Sequence, residues 1–277
     1  MLWRDRSGTF SPLKAMALAL ALAPALWIAL QAALGWLGMR PITEAIHQTG
    51  DWTVYLLLIT LAVTPLRRIG NWPRLILVRR TIGVSVACYA ALHLALYIVD
   101  QKFDLIKVAT EIALRIYLTI GFVAVAVLVT LALTSRDSVV KRLGAERWNR
   151  LHRLVYPVAV LGLLHYFMQS KINVTSPVQM AGLFLLLMGH RLMMKYGWPS
   201  TTRTLAALAI IAALLTAALE ALWYLLATGV DPVRILNANL DFEYSIRPMW
   251  WILMAGLATA IIPVFRPAIP SRSRNAA

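Results

Sequence analysis

Apolar residues in this chain fall in long unbroken runs, not in the alternation of a strand or the one-sided stripe of a surface helix. Eight runs stand out, at about 15–37, 51–66, 81–99, 116–134, 153–170, 177–193, 204–227 and 248–265. A helix of about 20 residues rising 1.5 Å each crosses a hydrocarbon core of about 30 Å, so these lengths predict eight membrane-spanning helices. The second and fifth runs are short or polar-edged, which leaves their boundaries soft. The first is too long and too continuously apolar for a cleaved signal peptide. The polar connections are short. The longest outer ones, "DQKFDLIKVATEIALR" and "GVDPVRILNANLDFEYSIRP", have room for a short surface helix and not for a folded domain.

Composition agrees with the pattern. Of 277 residues, 60% are hydrophobic, and the mean hydropathy is +0.70. A net charge of +15 would suit a nucleic-acid binder, but the cations are sorted by side. With the N-terminus inside, twenty of the 27 Lys and Arg fall in inner segments. These are the N-terminal tail (Arg4, Arg6, Lys14), "RRIGNWPRLILVRR", "SRDSVVKRLGAERWNRLHR", the stretch holding Arg191, Lys195 and Arg203, and the C-terminal tail (Arg266, Arg272, Arg274). The positive-inside rule then places both termini in the cytoplasm. Trp36, Trp52, Trp250 and Trp251 fit an outer aromatic belt, and Trp72, Trp148 and Trp198 an inner one. Membrane topology and anionic lipid account for the charge, so no nucleic-acid partner is expected. The single cysteine, Cys88, excludes an internal disulfide and a cysteine-ligated cluster, and is expected as a small core residue.

Candidate chemistry rests on five histidines: His47, His93, His152, His165 and His190. An ionisable side chain inside a membrane is a functional hypothesis by default, although any one of them alone could equally be a packing histidine bonded to a carbonyl. Depth distinguishes them. His93 lies thirteen residues into the third helix and His165 thirteen residues past His152 in the fifth, each about 20 Å from the inner edge. The two helices run the same way, so the two imidazoles share a level in the outer half of the membrane. Small residues, Ala90 and Gly162, sit one turn before each. Two level imidazoles with cleared space suit a flat macrocycle whose iron they ligate from both sides. A structural zinc would want four ligands, and a proton relay would want Asp or Glu in these helices, which neither has.

His152 is less settled. A second haem there would need a partner at the inner end of the third helix, where "VRRTIG" offers Arg79 and Arg80 but no histidine. His190 has a compatible depth. On an ideal helix His152 lies about 220° round from His165, unless Pro157 changes the phase. The alternative is an interfacial histidine bonded to headgroups or haem propionates. Arg79 and Arg80 read as topology charges or as anchors for propionates or a flavin phosphate. His47 reads as a cap of the second helix in preference to part of an outer quinone site. Glu220 is an isolated intramembrane carboxylate with no assigned role. There is no GxGxxG after a strand, no Walker loop and no paired-carboxylate site.

The stretches "HQTG", "LLLITLAVTPLRR", "RRTIG", "ALHLALY", "YLTIGFVAVAVLVTLALTS", "KRLGAERWNRLHRLVY" and "LLHYFMQSK", in this order over roughly residues 20 to 200, resemble the MsrQ (YedZ) family. These are haem-binding membrane subunits of periplasmic protein-methionine-sulfoxide reductase systems, within the ferric-reductase-like transmembrane family. The resemblance implies a six-helix haem-binding bundle over 15–200, after a cytoplasmic tail over 1–14. Residues 201–277 would then add two transmembrane helices and a cytoplasmic tail. It implies haem b, one or two, with His93, His152 and His165 as the matching ligands, and bound FMN. It further implies an electron-transfer subunit of the bacterial inner membrane, not itself the catalytic subunit. Electrons would come from the quinone pool or a flavin reductase and pass to a periplasmic molybdopterin subunit that reduces methionine sulfoxide in oxidised proteins. The rivals are a stand-alone membrane ferric or quinone reductase of the same fold, and a non-redox transporter or sensor with packing histidines.

Overall fold

The computed structural model describes residues 9–170, 173–243 and 245–265. The tail cations Arg4, Arg6, Arg266, Arg272 and Arg274 lie outside the described residues. Every regular element described is helical. Eight helical segments are long and apolar enough to span a bilayer, making the chain a multi-pass integral membrane protein. The predicted runs and these segments coincide to within a few residues, with three exceptions. The second helical segment starts at Pro41, about ten residues earlier than expected, the third at Pro73 and the fifth at Ala145. In the second segment the polar stretch "IHQTGDW" is helical and not a cap. Pro41 supplies a favourable first-turn residue, and Glu44 lies in the first turn where the helix dipole favours it. His47 is therefore an exposed position inside a helix, not its cap.

The chain divides into two compact units, residues 1–63 with 75–184, and residues 64–74 with 185–277. In the first unit, α1 (Pro12–Ala33), the first part of α2 (Pro41–Ile69), α3 (Val78–Asp100), α5 (Ile116–Leu133) and α8 (Val155–Ser170) are the long helices. Short helices α4 (Leu105–Leu114), α6 (Asp137–Leu143) and α7 (Ala145–His152) lie in the connections. The first of the long connections thus forms the short helix its length allowed.

Packing inside this unit is inverted relative to a water-soluble protein. On α1 only Ala21, Pro24 and Ile28 are buried, while Leu20 and Leu26 are 66% and 68% exposed. Lipid tolerates such a surface, and in it packing and hydrogen bonds must hold the helices together. One such bond lies beside Pro24. The Tyr89 hydroxyl of α3 donates to the Ala21 carbonyl and accepts from the Ala25 N–H, each at 2.8 Å. Those are the two groups an uninterrupted helix would join to each other, so the tyrosine stitches α3 into the ladder of α1. Cys88 departs from the expected core position: it is exposed. The buried stripe of α3 runs through Val78, Ile82, Val86 and Tyr89, and Cys88 lies about 100° round from its centre.

The second unit is built on α10 (Thr202–Thr228) and α12 (Pro248–Ile261), with the ends of α2 and α9 (Thr175–Lys195) and the short α11 (Pro232–Ala238). Ala209, Ala212, Ala213 and Ala217 form a buried stripe on α10, and Ile252, Gly256 and Ala260 one on α12. The backbones meet so closely that a Cβ on Gly256 would lie 2.4 Å from Ala209 Cβ. Small residues at a membrane helix interface permit this approach.

Glu220 is not isolated. Its side chain, 1% exposed, pairs with Arg247 at 3.3 Å and accepts from Asn239 Nδ2 at 3.3 Å. The Asn239 carbonyl accepts from Trp250 Nε1 at 2.7 Å. These bonds fasten the connection after α10, with α11, to both long helices. Removing one partner of a buried ion pair strands the other, at about 3–5 kcal/mol. Arg247→Ala is thus expected to lower the thermal midpoint of the detergent-solubilised protein by several degrees, and Glu220→Gln by less. Equal midpoints for Arg247→Ala and the parent chain would remove the pair from the stability of this unit.

Candidate functional site

The sequence pairs His93 on α3 with His165 on α8, and the fold of the first unit brings the two rings together. Their ring centroids are 6.3 Å apart and the ring planes stand at 88°. Each ring is fixed from behind by a different helix. His93 Nδ1 donates to the Ile46 carbonyl of α2 at 2.8 Å, and His165 Nδ1 donates to the Tyr117 carbonyl of α5, also at 2.8 Å. A carbonyl can only accept, so both rings carry their proton on Nδ1 and keep the Nε2 lone pair free. Among the described residues no protein group bonds either Nε2.

Two glycines make this possible. Gly50 lies four residues after Ile46, and Gly121 four residues after Tyr117. A Cβ on Gly50 would sit 3.1 Å from His93 Cε1, and one on Gly121 would sit 2.7 Å from His165 Nδ1. The pentapeptides "IHQTG" and "YLTIG" are thus equivalent seats, each offering one carbonyl and one missing side chain to an imidazole. Of the small residues expected to clear space, Gly162 does face an open region, where a Cβ would meet nothing within 4 Å. Ala90 does not: it is 2% exposed and packed into the core of the unit.

The pair offers two nitrogen donors and little else. No group of three or more His, Cys, Asp or Glu that could hold a metal ion occurs among the described residues. Two metal–nitrogen bonds of about 2.0 Å, with about 1.1 Å from each nitrogen to its ring centre, give about 6.2 Å between centroids, against the 6.3 Å seen here. The observed separation therefore fits one ion bound linearly between two imidazoles, with its other positions filled by a ligand that brings its own donors. A porphyrin does so. The Nδ1–H···O=C bonds are the outer-shell contacts that orient a ligating imidazole and raise its basicity.

Asp51 follows Gly50 and Tyr166 follows His165 in the chain, and the Asp51, Tyr55 and Tyr166 side chains lie close enough together to influence one another's charge. Asp51 sits on α2, one residue past the glycine that seats His93.

His152 is placed differently. The helix breaks at Arg153–Leu154, between α7 and α8, just before Pro157. His152 Nδ1 lies 3.2 Å from the Trp148 carbonyl, and its Nε2 lies 3.2 Å from the Leu131 carbonyl and 3.3 Å from Ser135 Oγ. Its ring stacks on Trp148 at 3.9 Å, and Trp148 Nε1 donates to the Thr134 carbonyl. Both nitrogens of His152 thus already face protein oxygens. Arg79 is close enough to act on its charge, whereas Arg80 pairs with Asp137 at 2.6 Å. His190 belongs to the second unit, where its Nε2 lies 3.3 Å from Ser200 Oγ.

Comparison with known proteins now bears on this geometry. Residues 49–163 match the family described as ferric reductase like transmembrane component, a span that holds Gly50, His93, Gly121 and His152 and stops two residues short of His165. The protein-methionine-sulfoxide reductase heme-binding subunit MsrQ of Herminiimonas arsenicoxydans is 44% identical over 156 residues, which is 56% of this chain and 72% of that protein. The same subunit of Rhodospirillum rubrum is 40% identical over 190 residues, 68% of this chain and 89% of its own. That of Caulobacter vibrioides is 40% identical over 167 residues, 60% and 80%. No solved structure matches the chain. With identities of this size over most of each relative's length, the chain belongs to the MsrQ family of protein-methionine-sulfoxide reductase heme-binding subunits.

Proposed function

We propose that this chain is the membrane electron carrier of a methionine-sulfoxide repair system. His93 and His165 would hold a haem b by their Nε2 atoms, between α3 and α8. The carrying observation is the 6.3 Å separation of two imidazoles whose Nδ1 atoms are both committed to backbone carbonyls. When bound, the haem supplies a one-electron couple; the protein's part is to position, insulate and poise it. Ile46 and Tyr117 hold the rings and strengthen their donor atoms, and Gly50 and Gly121 let the rings seat. The apolar faces of the surrounding helices keep water from the site.

With both termini cytoplasmic, the pair lies in the outer half of the membrane, well placed to pass electrons outward. The acceptor is a periplasmic methionine-sulfoxide reductase subunit carrying a molybdenum cofactor, and the donor is the quinone pool or a cytoplasmic flavin reductase. FMN is a further cofactor on this reading. A second haem at His152 requires its Nε2 to leave the Leu131 carbonyl and Ser135, with Arg79 as the nearby cation for a propionate or a flavin phosphate. Arg80 is less suited because Asp137 already occupies its guanidinium.

The functional experiment is direct. Dithionite-reduced protein is mixed with the purified periplasmic subunit, then with methionine sulfoxide. Reoxidation of the haem only when both are present is expected; a haem that stays reduced rules out the partnership.

A further inference from the structure

We infer that the second unit carries a binding pocket for a phosphate-bearing ligand, formed between the C-terminal end of α2 and the segment after α9. This goes beyond the electron-carrier reading and stands without it. A cavity of about 550 Å³ lies there, lined by Arg67, Arg68, Asn71, Met194, Trp198 and Ser200 among others. That volume is within the range of small-molecule sites, about 300–1,000 Å³.

Its chemistry is that of an anion site. Residues 64–74 and 185–203 hold Arg67, Arg68, Arg74, Arg191, Lys195 and Arg203 and no carboxylate at all. The acidic residues of the unit, Glu220, Asp231, Asp241 and Glu243, all lie in a later stretch, and none lines the cavity. Topology explains an excess of cations on one side of a membrane, but it does not explain a concave site lined by two of them, Arg67 and Arg68. Arg67 Nε is buried with no hydrogen-bond partner, which a native structure rarely leaves without a reason. An arginine fork matches the oxygen spacing of a phosphate.

The remaining lining favours an organic phosphate. Ser200 Oγ is held by His190 Nε2 at 3.3 Å and donates to the Met194 thioether at 3.5 Å. A thioether is a weak acceptor, and a phosphate oxygen outcompetes it. His190, 4% exposed, thus acts as a positioning residue for the hydroxyl. Trp198 is 60% exposed and presents an aromatic surface beside the cations, for a flat ring or an acyl-glycerol stem. Two sources share this chemistry, an anionic lipid headgroup and a soluble mononucleotide.

The test uses full-length protein in phosphatidylcholine nanodiscs, titrated with FMN, a fluorescent aromatic phosphate, and with riboflavin, the same ring system without it. Haem content is measured on the same samples to register any misfolding. Saturable FMN binding is expected, at least tenfold tighter than riboflavin and displaced by millimolar inorganic phosphate. Arg67→Ala with Arg68→Ala should weaken it at least tenfold. Arg67→Lys with Arg68→Lys, which keeps the charge needed for insertion and loses the fork, should still weaken it severalfold. Repeating the titration in nanodiscs containing phosphatidylglycerol names the source. FMN affinity that falls tenfold there supports a lipid phosphate, and affinity that holds supports a soluble mononucleotide. The pocket assignment is overturned if FMN does not bind in phosphatidylcholine, if riboflavin matches it, or if both double variants bind like the parent chain.

Discussion

Alanine at His93 or at His165 is expected to remove one haem per polypeptide, with its reducible Soret and α bands, from protein that still inserts and purifies. The effect should be near total because the site has no reserve. Only two protein donors converge there, and no third His, Cys, Asp or Glu among the described residues completes a metal site. Losing either imidazole would leave a single protein donor at the site. The two replacements should also be equivalent, because the seats are: Nδ1 to a helix carbonyl at 2.8 Å, with a glycine one turn further on. A packing histidine would behave otherwise. Its loss would cost some stability, about 0.6 kcal/mol for an average interhelical hydrogen bond in a membrane, and would change no absorption band.

A second large effect is expected at a residue that touches no ligand. In Gly121→Ala the new Cβ would sit 2.7 Å from His165 Nδ1 and 2.8 Å from its Cε1, closer than real side chains approach. The imidazole is held by the Tyr117 carbonyl behind, and on the proposed reading it would also be held by the haem iron in front, so it could not yield without weakening one of the two. Overpacking of this kind costs about 1–3 kcal/mol, or about 5- to 150-fold in an equilibrium. Haem retention on dilution should fall by about tenfold or more, and the larger Gly121→Val should lose the haem. Gly50→Ala places its Cβ 3.1–3.2 Å from His93, tight but within reach of a small shift, so its effect should be weaker. Haem dissociation to apomyoglobin measures this order; equal retention in Gly121→Ala and the parent chain would show that the seat is not tight.

The spans and the level of the two histidines were legible because each follows from counting. Apolar runs report length, and a fixed rise per residue reports depth. The seats were not legible, because Gly50 and Gly121 act across helix interfaces and sequence spacing relates only residues on the same helix. For the same reason nothing in the spacing relates Asp51 on α2 to Tyr166 on α8, which the fold brings near each other. Depth likewise made His152 and His165 look similar, whereas their surroundings differ. His165 keeps Nε2 free, and His152 has both nitrogens against protein oxygens. Glu220 appeared isolated because Asn239 and Arg247 lie nineteen and more residues away, in a connection that reads as loop.

The most direct measurement is haem per polypeptide, by pyridine haemochrome, for the parent chain, His93→Ala, His165→Ala and the double variant. If His93 and His165 are the two axial ligands of one haem, each single variant loses the same one equivalent and the double variant loses no more. Full haem in either single variant, or losses that add in the double variant, would contradict the pairing.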